Sequence, residues 1–215
     1  MVIRRNLKWI ALTCSLLLIV SAFVYASSIV NATEVFRPKT FRFLLSAETD
    51  LTVSANTAEL NGGAGYILEQ KKKAMVVYDC YLSEESAFAA HKNLQNKNIP
   101  VTIYTRSLET LYLKTQREKK QAKKIVGYLN TLNGCIETLD VLIKGAETGA
   151  FSQERLKECL RVTELVLYAL QSESCKNCAE FLTKIRSDIV FAKDVRYVKV
   201  ALCDEYIRFY QQFSL

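Results

Sequence analysis

Met75-Val76-Val77-Tyr78-Asp79-Cys80-Tyr81-Leu82-Ser83-Glu84-Glu85 is the stretch whose reading decides the fold. Its first part is rich in β-branched and aromatic residues and reads as a strand. Ser83 then offers an N-cap hydroxyl, and two glutamates follow where the positive end of a helix dipole favours acids. The helix that begins there shows a face of Ala87, Phe88, His91 and Leu94 and ends at Asn96 to Asn98. Ile99-Pro100-Val101-Thr102-Ile103-Tyr104 is the next strand, with proline at its start, where a missing donor is tolerated. Upstream, Tyr66-Ile67-Leu68 is a strand, and the charged residues 70–73 turn it into the quoted one. Gly62-Gly63-Ala64-Gly65 breaks a weak helical pattern in Val53, Ala55, Ala58 and Leu60. Phe41-Arg42-Phe43-Leu44-Leu45, following Pro38, is the first strand.

The order is β-α-β-β-α-β over residues 36–106, an α+β, ferredoxin-like arrangement. It predicts a four-stranded antiparallel sheet with both helices on one face and the other face open. A weak internal repeat at a spacing of 34 agrees: Asp50 with Glu84, Ala55 with Ala89, Leu60 with Leu94. Strand alternation puts Arg42, Leu44 and Ser46 on one face, and likewise Met75, Val77 and Asp79. If Phe43, Leu45, Val76 and Tyr78 face the helices, the first set lies on the open face. A one-residue register slip reverses every assignment.

Residues 1–30 form a different region. Arg4, Arg5 and Lys8 precede an uncharged stretch over residues 9–30, long enough to cross a hydrocarbon core about 30 Å thick. The positive flank predicts a cytoplasmic N-terminus, a single transmembrane helix and everything later outside the cell membrane. A cleaved signal peptide is the rival, because Val24-Tyr25-Ala26 resembles a cleavage site.

Residues 107–215 read as an antiparallel helical bundle. Apolar residues at spacings of three and four run from Leu108 to Ile143, crossed by the cationic Arg117-Glu-Lys-Lys-Gln-Ala-Lys-Lys124. Gly145 and Gly149 flank a turn. Ser152 caps a second helix marked by Leu156, Leu160, Leu165 and Val166. A third stretch over 175–213 is one helix or two, with Ser187-Asp188 as the break.

Residues 41–105 resemble the SPOR domain, the sporulation-related repeat of bacterial cell-envelope proteins. The likeness is carried by the strand 75–81, by Ser83-Glu84-Glu85-Ser86-Ala87 at the helix start, and by Leu94 followed by the strand 101–104. Leu44 and Ser46 depart from the glutamine and glycine the family often has there, and Asp79 from a common glycine. The resemblance implies binding of peptidoglycan, in particular glycan strands stripped of their peptides, across the open face. The residues to line such a site are Arg42, Leu44, Ser46, Met75, Val77 and Asp79, with Tyr66 and Tyr104 as the flat surfaces on which sugar rings stack.

Composition narrows the chemistry. Of 215 residues half are hydrophobic, so a core is affordable, and only 7 are glycine and 2 proline, which excludes collagen-like and flexible-linker chains. The net charge of +7 is spread as +3, +1 and +3 over residues 1–30, 31–106 and 107–215, so no patch points to nucleic acid. One histidine leaves little room for histidine-based catalysis or zinc sites. The Gly62–Gly65 stretch lacks the lysine and spacing of either common nucleotide loop. No catalytic residue, metal ligand set or cofactor is assigned. Cys175-Lys-Asn-Cys178 has redox or half-zinc spacing without the context of either; buried thiols, a disulfide and a metal stay open for the six cysteines beyond Cys14. Two functions fit. One is a non-enzymatic, membrane-anchored envelope protein that binds glycan strands in sporulation or cell division. The other is an anchored scaffold acting on a protein partner through its C-terminal helices, without glycan binding.

Overall fold

A computed structural model of the chain describes residues 34–47, 50–70, 73–113, 116–171 and 192–214. It divides into two compact units, Met1–Phe36 with Thr110–Lys123, and Arg37–Glu109 with Lys124–Leu215. In the first, β1 (Glu34–Phe36) pairs antiparallel with β6 (Leu111–Leu113), Val35 opposite Tyr112.

The second unit holds β2 (Phe41–Ser46), α1 (Leu51–Leu60), β3 (Tyr66–Gln70), β4 (Lys73–Tyr81), α2 (Glu84–Asn96) and β5 (Val101–Arg106). The four strands form one antiparallel sheet in the order β3-β4-β2-β5. Each helix start is set locally. Asp50 Oδ1 accepts from the Thr52 and Val53 amides at 2.9 and 3.0 Å, and Ser83 Oγ accepts from the Ser86 amide at 3.4 Å. After α2 the chain turns through Asn98 at φ 57°, a left-handed conformation that asparagine tolerates. Gly63 is required where the chain leaves α1: a Cβ there would lie 2.7 Å from the Tyr78 ring and 2.9 Å from the Ala58 carbonyl oxygen.

Leu44, Ala58, Val76, Tyr78, Ile99 and Val101 make the core between the sheet and α1 and α2, with Leu51, Ala55, Leu94 and Ile103 packed around it. Val76 and Tyr78 face these helices, as alternation predicts. Leu44 joins them, so the parity expected for β2 is reversed. The register explains part of this. Leu44 pairs with Asp79 and Leu45 with Val77, so Tyr78 is an extra residue, a β-bulge that breaks alternation in β4.

The other face is not open. Among the described residues three helices follow the sheet: α3 (Gln116–Glu147), α4 (Gln153–Gln171) and α5 (Ala192–Ser214). Phe41, Phe43, Val77 and Cys80 are as deeply buried as the core under α1 and α2, and α5 packs against this side. The rings of Phe41 and Tyr206 lie 5.1 Å apart, and Cys203 neighbours Cys80. The helices from Lys124 onward therefore share a unit with the sheet rather than forming the separate 107–215 domain. Within it α3 buries Ile125, Leu129, Leu132, Ile136, Leu139 and Ile143, the spacing of three and four read from the sequence. The turn to α4 passes Gly149 at φ 78°.

One correction concerns the membrane. Among the described residues no helix is long and apolar enough to cross one. This overturns the transmembrane helix in the expected fold class and the single-pass cell-membrane location, while the α+β arrangement with its four-stranded antiparallel sheet stands. Residues 9–30, which carried the expectation, lie outside the described residues, as do the Cys175/Cys178 pair and the Ser187-Asp188 break.

Candidate functional site

The eight residues expected to line a glycan surface do not share one. Leu44 and Val77 are both 0% exposed, one under α1 and α2 and the other on the opposite side of the sheet, so neither can touch a ligand. Arg42 donates from Nη1 to the Leu82 carbonyl at 2.9 Å and reaches Glu84 at 3.4 Å, bracing the start of α2. Tyr66 donates its hydroxyl to Asp204 Oδ2 at 2.9 Å and meets the Tyr197 ring edge-on at 5.3 Å, so it docks α5. Tyr104 is half-buried and stacks on Phe43 at 6.4 Å. Met75 and Ser46 are half-buried, Met75 opposite Leu68 and Ser46 opposite Val101. The expected surface fails because both faces of the sheet are covered.

Asp79 is the exception, because it sits at the centre of the most charged place in the unit. Its carboxylate is buried and fully occupied. Oδ1 accepts from Lys199 Nζ at 2.6 Å and from the Cys80 amide at 2.7 Å. Oδ2 accepts from Arg196 Nε and the Tyr81 hydroxyl at 2.8 and 2.9 Å. Lys199 also reaches Asp140 Oδ1 at 2.9 Å and lies 4.6 Å from the centre of the Tyr81 ring. Arg196 extends to Glu147 at 2.5 Å and to the Gly62 carbonyl, and Lys144 meets Asp140 at 2.8 Å. Three carboxylates thus face three cations, and helices α3 and α5 are tied to the sheet by one neutral cluster.

The titration of these groups follows from that pairing. Burial works to depress the Lys199 ammonium, but Asp79 and then Asp140 outweigh it and hold the group above its ordinary value. Burial pulls the Arg196 guanidinium down and Asp79 brings it above its usual range. Burial raises Asp140, and the Lys199 charge with the Lys144 hydrogen bond brings it below the usual carboxylate range. Burial, then the Asp79 charge, pushes Tyr81 up; burial, then Asp204, does the same to Tyr66. Every one of these groups is locked in its ordinary charge state near neutral pH.

A cleft of about 360 Å³ opens beside the cluster. Leu44, Gly63 and Tyr78 line it with Asn93, Lys97, Lys144 and Arg196. Its cations other than Lys97 are engaged with Asp79, Asp140 or Glu147. His91, the only histidine, stands apart; its Nε2 lies 3.0 Å from the Val101 carbonyl, which as an acceptor places the proton on that nitrogen and ties α2 to β5. Among the described residues no group of three or more His, Cys, Asp or Glu is placed to hold a metal ion. Cys80, Cys135, Cys159 and Cys203 are buried free thiols.

Sequence reading missed Lys199, Arg196 and Asp140. A signal was present for the first: Lys199 stands between Val198 and Val200 and one turn from Val195, on the stripe that α5 buries. A cation on an apolar stripe needs a buried partner. Nothing local identifies that partner, since Asp79 lies 120 residues earlier.

Comparison of the chain with protein-family models, with curated proteins and with solved structures finds no match in any of the three.

Proposed function

We propose that the chain is a non-enzymatic interaction protein in which the sheet is a platform for helices, and that a protein partner is engaged through the helical part. The observation that carries this is α5 lying on the sheet face that a glycan would need, fastened through Asp79, Lys199 and Arg196. A polysaccharide has to contact an exposed row of side chains, and Phe41, Phe43 and Val77 spend that row on packing. The non-enzymatic part is supported by the titratable groups. A lysine serves as a nucleophile when its charge is suppressed, and Lys199 is held charged by two carboxylates. Tyr66 and Tyr81 are held protonated, and His91 has its Nε2 committed to backbone.

The test is co-sedimentation of the full chain with amidase-treated cell-wall sacculi. The protein is expected to stay in the supernatant over the concentration range in which a glycan-binding control sediments. Saturable sedimentation of the folded parent protein defeats the reading and restores the glycan one.

A further inference from the structure

The four buried cysteines among the described residues form two pairs that are chemically unequal, and the difference lies in what surrounds them. Cys80 and Cys203 meet between the sheet and α5, where their exposures are 1% and 0%. Cys135 on α3 and Cys159 on α4 meet beside a cleft of about 450 Å³ that both line, together with Gly134, Thr138 and Arg155. Cys159 Sγ donates to the Cys135 backbone carbonyl at 3.6 Å, which sets the two thiols beside each other across α3 and α4. The cleft is open beside Gly134, where an added Cβ would meet nothing within 4 Å. Thr163 donates its hydroxyl to the Cys159 carbonyl at 2.8 Å, which fixes the α4 turn that carries the second thiol.

We propose that Cys135 and Cys159 form a dithiol site that reacts with a hydroperoxide and closes to a disulfide joining α3 to α4. The Cys135 thiolate attacks one peroxide oxygen, the O–O bond breaks, and the departing oxygen leaves as water or alcohol after taking a proton. Sulfur is oxidised to a sulfenic acid and the peroxide is reduced. Cys159 then attacks that sulfur, the S–O bond breaks, its own proton goes to the departing hydroxide, and one water leaves as the S–S bond forms. Roles are unequal because the environment is. The neighbouring Cys159 thiol lowers Cys135 to about 7, against the pull of burial. The Cys159 thiol, set against Cys135 and buried, is pushed up and suits the resolving role. Burial pushes Cys80 well up as well.

The experiment treats the reduced full chain with hydrogen peroxide, quenches with an alkylating agent and maps peptides by mass. The expected product is a Cys135–Cys159 linked pair with two hydrogens lost, formed at least tenfold faster than any change at Cys80 or Cys203. Its rate should rise through about pH 7, where Cys135 ionises. Cys159→Ser should stop at a sulfenic acid on Cys135 that dimedone traps, and Cys135→Ser should abolish the fast phase. Oxidation of Cys135 no faster than that of Cys80, or a linkage of Cys135 to Cys175 or Cys178 instead of Cys159, overturns the proposal. The parent's own peptide map decides the question even if a serine variant fails to fold.

Discussion

The two faces of the sheet are closed by different physics. Against α1 and α2 the contact is apolar: Leu44, Val76, Tyr78, Ile99 and Val101 meet Ala58 and Leu94 with no charge among them. Against α5 an apolar patch of Phe41, Val77 and Cys80 adjoins the cluster of Asp79, Lys199, Arg196 and Asp140. Apolar burial is non-directional and tolerates repacking. A buried ion cluster contributes less net stability, but it admits one register of α5 only, because any shift leaves a charge unpaired. The first face makes the sheet fold. The second decides where the last helix lies.

The largest expected effect breaks the second face. Lys199→Ala leaves Asp79 and Asp140 without their shared cation and should cost about 3–5 kcal/mol in denaturant unfolding. Lys199→Met combined with Asp79→Asn removes both charges of the closest pair and should recover much of that loss. If the single variant costs under about 1 kcal/mol, comparable to an exposed pair, the cluster is not the fastening described here.

The next effect tests whether both faces are core. Leu44→Ala should cost about 2–5 kcal/mol by cavity formation. Val77→Ala, on the opposite side, should cost about 2 kcal/mol for two methyl groups with little relaxation. A sheet with one solvated face would lose stability at only one of the two positions. Indifference at Val77 would mean that α5 does not cover the sheet.

These two positions also show what was legible in the sequence. The strands and the start of α2 were readable because their determinants are local: Ser83 sits at that helix start, and the glycines from Gly62 to Gly65 end α1. The face of β2 was not readable. Phe41 to Leu45 is apolar on both sides of the strand apart from Arg42, and a two-sided apolar run carries no information about which side meets which helix. The bulge at Tyr78 removed the remaining clue in β4. Of the expected site residues only Asp79 led toward the charged cluster. Its partners on α3 and α5 are joined to it by tertiary packing alone, which periodicity and spacing do not encode.

The smallest effect sharpens the comparison through pH. Asp140 is held below the usual carboxylate range in the folded protein by Lys199 and Lys144, against the pull of burial, whereas the unfolded chain returns it to about 3.9. A group whose folded value is depressed adds stability above its unfolded value and loses it as the pH falls through the folded one. Its contribution is therefore complete above about pH 5, shrinks as the unfolded form takes up its proton near 3.9, and vanishes once the folded form is protonated too. Asp140→Asn carries no titrating group, so the stability gap between parent and variant should be constant from pH 8 to 5 and close on further acidification. The Leu44→Ala gap should stay flat over the same range, because no charge lies in that core. Unfolding curves at pH 7, 5, 4 and 3 for the two variants make the measurement. A gap at Asp140 that widens toward acid would mean that the carboxylate binds its proton more tightly in the folded state, the reverse of a group held ionised by Lys199.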